Sequence, residues 1–148
     1  MSVRCEHALR LRGLIDGGGW QQAEEELQGL RQRYPENAAL CSIEGIYWAR
    51  RGDWPRALCR FQRALVWNRD DANTVFNLGV TWCQLGAPLR GRLLMDYADQ
   101  MMAAQMPAGQ SLPAALTWRL PRPSLPQPER FPAVAGRAAT RRVPGLVR

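Results

Sequence analysis

The residues able to do chemistry are few and scattered. His7 is the only histidine, and Cys5, Cys41, Cys59 and Cys83 are the only thiols. A nucleophilic thiolate needs a base beside it, and a zinc site needs several Cys, His or carboxylate ligands close together. Cys5 and His7 are two residues apart, a spacing that sends side chains to different faces of a helix, and no CxxC pair occurs. The wide cysteine spacing suits reduced core thiols better than a metal knuckle or a disulfide frame. Gly17, Gly18 and Gly19 could in principle cradle a phosphate, but no Lys-Ser/Thr follows and no strand pattern precedes. A turn between helices accounts for them. No catalytic residue, metal site or cofactor is expected, which leaves binding functions.

Charge is divided unevenly along the 148 residues. From Met1 to Met106 there are 13 Arg against 12 Asp plus Glu, whereas Pro107 to Arg148 holds 7 Arg against Glu129 alone. The net +7 therefore belongs almost entirely to the tail, and the body is near neutral. All 20 basic residues are Arg, which reads as codon composition. Arg141 and Arg142 lack interleaved aromatics, so a nucleic-acid partner is not favoured. Arg50, Arg51, Arg60 and Arg63 read as solvated helix faces, and Glu24, Glu25 and Glu26 as an acidic first turn facing the positive end of a helix dipole. The N-terminal residues show no signal-like apolar stretch, and no segment approaches the length needed to span a bilayer. A soluble, cytoplasmic protein without membrane insertion is expected.

The elements that must position these residues come from an internal repeat. At an offset of 34, Gly18, Gly52 and Gly86 align, as do Ala23, Ala57 and Gly91; Leu27, Phe61 and Met95; and Leu30, Ala64 and Ala98. Leu14, Trp48 and Trp82 align too, as do Gly45 with Gly79 and Trp20 with Trp54. Each unit reads as two amphipathic helices joined at the glycine. The pattern predicts helices over 3–16, 20–33, 37–50, 54–67, 71–85 and 88–105. Small residues at Gly45, Gly79, Ala57 and Ala64 let paired helices approach closely, while Trp48, Trp82, Phe61 and Leu27 fill the space between them. Gly52-Asp53-Trp54-Pro55 is a helix stop, an N-cap and a first-turn proline in sequence.

These residues resemble the tetratricopeptide (TPR) family, whose unit carries an aromatic, Leu-Gly and aromatic run in its first helix and Ala with an aromatic in its second. Val75, Leu78, Gly79 and Trp82 match in the third unit, and Gly45, Trp48, Ala57, Phe61 and Ala64 in the second. The first unit keeps Ala23 and Pro35 but has His7, Arg10 and Leu11 in place of the signature, as a terminal unit does. The resemblance covers about residues 4–105. It implies an all-α, right-handed superhelix of three helical hairpins, with units near 4–37, 38–71 and 72–105, and a domain spanning 1–106.

Beyond Met106 the composition changes, with 8 of the 11 prolines there. Residues 107–120 have room for a capping helix, with Ser111 as cap and Leu116, Trp118 or Leu120 docking. It would cover an apolar end of the stack that includes Leu94, Met101 and Met102. A second copy could cover that end instead, giving a homodimer. Residues 121–148 are expected to be disordered, because repeated proline excludes helix and little apolar surface is available to bury.

TPR resemblance implies a concave groove lined by the first helix of each unit. Its lining would run through Ala8 and Arg12, then Ala39, Ser42, Ile43 and Ile46, then Asn73, Phe76, Asn77, Val80 and Cys83. Ala8, Ile43 and Asn73 stand where chaperone-tail adaptors of the family carry a clamp of basic and Asn side chains, so an acidic C-terminus is not the implied ligand. A protein or peptide with apolar anchors is. Size and groove character are similar to small TPR chaperones of bacterial type III secretion systems. The expected function is a non-enzymatic chaperone or adaptor that holds an apolar segment of a partner. The alternatives are a self-associating scaffold and a nucleic-acid accessory protein acting through the Arg-rich tail.

Overall fold

The computed structural model describes residues 5–110 and 118–125. Among the described residues there are six α-helices and no strand: α1 Cys5–Asp16, α2 Trp20–Arg33, α3 Ala38–Arg50, α4 Trp54–Trp67, α5 Ala72–Gln84 and α6 Pro88–Gln105. Every described boundary lies within one residue of the expected one. Residues 3 and 4, expected to open α1, fall outside the described residues. Asn37 and Asp71 stand just before α3 and α5 because each is the N-cap. Asn37 Oδ1 accepts the Leu40 N–H at 3.0 Å, and Asp71 Oδ1 accepts the Asn73 N–H at 3.1 Å. Asp53 does the same for α4, accepting the Arg56 N–H at 3.1 Å. Each cap satisfies a backbone donor that the first helical turn leaves free.

The 34-residue repeat appears directly in the backbone. Gly18, Gly52 and Gly86 have φ of 76°, 82° and 88°, the left-handed region where a Cβ is penalised. Around each glycine two hydrogen bonds close the preceding helix. Gly18, Gly52 and Gly86 donate to Ile15, Ala49 and Cys83, and the next residues, Gly19, Asp53 and Ala87, donate to Leu14, Trp48 and Trp82. This is the Schellman pattern, made three times at one spacing. It reverses the chain so that α1 packs on α2, α3 on α4 and α5 on α6, while α3 also touches α1 and α5.

Close approach within the hairpins depends on residues without bulk. A Cβ on Gly45 would lie 2.5 Å from the Phe61 ring, and one on Gly79 would lie 2.7 Å from the Gly91 carbonyl oxygen. Ala57, Phe61 and Ala64 are buried at the α3–α4 seam, with Leu78, Met95 and Ala98 filling the next one. Trp48 and Trp82 differ from their expected role as core filler, being only half-buried. Arg56 lies 4.6 Å over the Trp48 ring, and Arg90 lies 4.6 Å over Trp82. The arginine and tryptophan positions recur together at the repeat spacing, so each ring packs its inner edge and offers its outer face to a cation.

Several charged residues also differ from expectation. α2 begins at Trp20, so Glu24, Glu25 and Glu26 lie beyond its first turn. Glu26 instead pairs with Arg10 at 3.0 Å and with His7 at 3.4 Å. Arg60 is not simply solvated, since Arg31 and Arg60 both pair with Glu44, a carboxylate that is almost wholly buried on α3. Burial would lower the Arg31 pKa, but the charge and hydrogen bond of Glu44, with help from Glu24, outweigh it and raise the value. Arg50 pairs with Asp16, and Arg51 donates to the Tyr47 hydroxyl at 2.9 Å. Among the described residues, no helix is long and apolar enough to cross a membrane.

Candidate functional site

α3 touches both α1 and α5, and residues 118–125, a non-helical segment, pack against α1 through Trp118 and against α5 through the main chain of Trp118 and Leu120. A capping helix over 107–120 therefore does not extend through Trp118, Arg119 and Leu120, and residues 111–117 lie outside the described residues. The expected tail 121–148 is described only to Leu125, and Arg141 and Arg142 are not among the described residues.

Asn77 is the centre of the contact and is fully buried. Its Nδ2 donates to the Trp118 carbonyl oxygen at 3.0 Å, and its Oδ1 accepts the Leu120 backbone N–H at 2.7 Å. In an extended chain the carbonyl of one residue and the N–H two residues on point to the same side. One amide side chain can then make both bonds of a strand pairing. The contact reads main chain, so it holds the segment's path without regard to side-chain identity.

Side chains on either flank add the selectivity. Leu120 is buried in the core with Ile46, Phe76 and Val80, and it borders a cavity whose walls come from Ile15 of α1, Ala49 of α3 and Val80 and Gln84 of α5. Trp118 packs beneath the Arg12 guanidinium, 5.7 Å from its ring centre. Arg119 and Arg122 turn toward α6. Arg119 donates through Nε to Asn73 Oδ1 at 2.8 Å and through Nη1 to Asp99 Oδ1 at 2.7 Å. Arg122 donates through Nη2 to the other Asp99 oxygen at 2.6 Å, with Asp96 at 3.8 Å. Both guanidiniums also lie over the Phe76 ring, at 4.5 and 5.2 Å. Burial would raise the Asp99 pKa, but hydrogen bonds and charge from Arg119 and then Arg122 outweigh it and hold the carboxyl below its ordinary value.

Of the residues expected to line a groove, Arg12, Asn73, Phe76, Asn77 and Val80 meet the segment, and Ile46 is buried in the same cluster as Leu120. Ile43 and Ile46 are buried within the hydrophobic core, so Ile46 is not an open anchor. Ser42 hydrogen-bonds Thr74 at 2.8 Å and joins α3 to α5, while Ala39 is exposed. Cys83 turns into the α5–α6 seam, where a Cβ on Gly91 would strike its sulfur. Burial pushes the Cys41 and Cys83 thiols up, away from the depressed values that mark reactive thiolates. No group of three or more His, Cys, Asp or Glu poised for a metal occurs among the described residues.

Sequence reasoning expected Trp118 or Leu120 to dock from a helix over the open end of the stack; it missed them, with Arg119 and Arg122, as occupants of this face, and Asp96 and Asp99 as the acidic wall the arginines meet. No local signal marked them: Arg119 and Arg122 lie 20 and 23 residues from Asp99, and their segment has no periodicity. Comparisons with protein-family models, curated proteins and solved structures found no match to the chain.

Proposed function

We propose that the chain is a non-enzymatic protein-binding module of the TPR type, a right-handed stack of three helical hairpins whose first-helix face takes an extended segment of a partner protein. One observation carries this reading: the buried Asn77 amide pairs with the main chain at Trp118 and Leu120 while a neighbouring apolar site takes the Leu120 side chain. Main-chain pairing with alternate side chains in pockets is how extended peptides are bound. A cytoplasmic chaperone or adaptor that holds an apolar segment, including a component of a secretion system, is the role that suits such a face. Photo-crosslinking in the producing cells tests it. A crosslinker at Gln84, on the rim of the Leu120 site, should give an adduct with a discrete partner protein, whereas one at Arg69, between α4 and α5, should not. Equal labelling from both positions, or none from Gln84, would sink the proposal.

A second reading, self-association through the end of the stack, is favoured by a specific feature of α6. Leu94, Met101 and Met102, expected to form the open end, are half-buried, and Leu89, Leu93 and Tyr97 are the large apolar side chains that α6 leaves exposed. Their spacing of four puts them on one helix face. Light scattering at tens of micromolar separates the readings, since a monomer there removes self-association.

A further inference from the structure

We propose that residues 118–122 are a built-in competitor that keeps the first-helix face closed, and that the partner segment displacing them carries the same pattern: a buried apolar residue flanked by two arginines three positions apart, in extended conformation. This deepens the peptide-binding reading and rests on it. The partner's chemistry follows from which contacts are specific to side chains. Asn77 accepts any extended main chain, so it discriminates little. Leu120 requires an apolar residue between those bonds. Asp99 offers one carboxylate oxygen to each of Arg119 and Arg122, Asp96 stands beside them, and Phe76 presents its ring to both. A carboxylate pair over an aromatic face suits two planar cations, because a guanidinium can stack and donate at once. An acidic segment would meet repulsion at the same place.

Closure follows from tethering. A segment on a short connection experiences an effective concentration on the order of millimolar. With an intrinsic Kd of about 10–100 µM, it would leave the face open in roughly one molecule in ten to one in a hundred. A partner then binds the open fraction, and its apparent affinity falls by the same factor.

The test uses full-length protein and a fluorescent synthetic peptide copying residues 117–126. Anisotropy titrations compare the parent with R119E/R122E, which places acidic side chains against Asp96 and Asp99 and should open the face. Leu120→Asp is a second, independent opening variant, and far-UV circular dichroism checks that each retains helix. The peptide should bind both opened variants about 10- to 100-fold more tightly than the parent, and a version with Glu at both arginine positions should bind them at least about tenfold more weakly. Equal affinity for parent and folded variants would overturn closure but leave the peptide-binding reading standing. Equal affinity of the Arg and Glu peptides would overturn the cationic pattern. Absence of binding to any folded form would overturn both this proposal and the reading beneath it. Sedimentation adds one more outcome: a parent dimer that R119E/R122E dissociates would show the segment docking between copies, against closure within one chain.

Discussion

The Asn77 side chain accepts the Leu120 backbone N–H at 2.7 Å across 43 residues of sequence, and the same amide donates to Trp118 at 3.0 Å. A buried polar group of this kind is costly unless both its donor and its acceptor are used. The contact therefore binds the segment and also keeps Asn77 compatible with the core around it.

Asn77→Leu should separate these two effects. Leucine is apolar and of similar size, so it removes the buried amide without leaving an unpaired partner in the helices, and the helical fold should persist. The main-chain groups of Trp118 and Leu120 would lose their bonds and turn to water. At about 1–2 kcal/mol for the pair, the undocked fraction should rise about 5- to 30-fold. Trypsin cleavage after Arg119 measures it under conditions where cleavage follows the open population. An unchanged rate in a folded variant would show that Asn77 does not hold the segment.

Acid should release the segment through Asp99. Its carboxyl is held below the ordinary 3.8 by Arg119 and Arg122 despite partial burial. A depressed acidic pKa contributes stability that is fully present above the unbound value and is lost as pH falls through the bound value. Docking should thus be flat at neutral pH and weaken only below about 3.8. Hydrogen exchange at Leu120 across that range reports it, and Asp99→Asn should flatten the profile. Equal acid sensitivity in Asp99→Asn would move the effect elsewhere.

The helices were legible because their signals are local and repeated. Gly52 with Asp53 states a stop and a cap within two residues, and the same turn recurs at Gly18 and Gly86. The small residues at Gly45 and Gly79 likewise announced close seams. The occupied face was not legible, because the pairing of Asn77 with Trp118 and Leu120 links positions more than forty residues apart and has no periodicity. Proline suggested that the tail lacked structure, and its described part, residues 121–125, is non-helical. Yet an extended segment needs no helix when a buried amide supplies its hydrogen bonds. Ile46 failed as an open anchor for a related reason: periodicity identifies a helix face, but whether that face is bare depends on what lies across it.

The glycine seams make a prediction with opposite signs. Gly79→Ala would press a methyl against the Gly91 carbonyl oxygen and Met95 on α6, where backbone has to move. Overpacking of this sort costs about 1–3 kcal/mol. Gly29→Ala, within α2, meets nothing within 4 Å and should stabilise by about 0.5–1 kcal/mol through helix propensity. Thermal melts of the two variants should shift in opposite directions. Ala57→Arg, at a fully buried position in the α3–α4 seam, should abolish folding altogether.

Glu44 gives an asymmetric test of the buried ion pairs. Its side chain is 2% exposed, whereas those of Arg31 and Arg60 are 35% and 39% exposed. Glu44→Gln removes the charge that had to be desolvated and leaves arginines that can reach water, so the loss should be modest, about 1–2 kcal/mol. The double change Arg31→Met and Arg60→Met leaves a carboxylate buried without its two partners and should cost more, about 3–5 kcal/mol. Urea denaturation orders the variants. Equal losses would mean that solvent reaches Glu44.

Phe76 tests whether the aromatic face contributes to binding or only to packing. It is buried beneath Arg119 and Arg122, whose guanidiniums lie 4.5 and 5.2 Å from its ring. Phe76→Leu keeps an apolar side chain in the core, so helix content should persist with a moderate loss of melting temperature. The leucine has no ring quadrupole, however, and the two stacked cations lose that attraction. Both arginines are partly exposed, at 24% and 48%, so the lower range applies, about 0.5–1 kcal/mol for each. The undocked fraction, read by trypsin cleavage after Arg119, should rise about 5- to 30-fold if the two contributions add. Phe76→Trp offers a larger ring and should not raise cleavage if the core admits it. A Phe76→Leu protein that melts lower but is cleaved at the parent's rate would show that the ring serves the core alone, leaving the Asp99 ion pairs to hold the arginines.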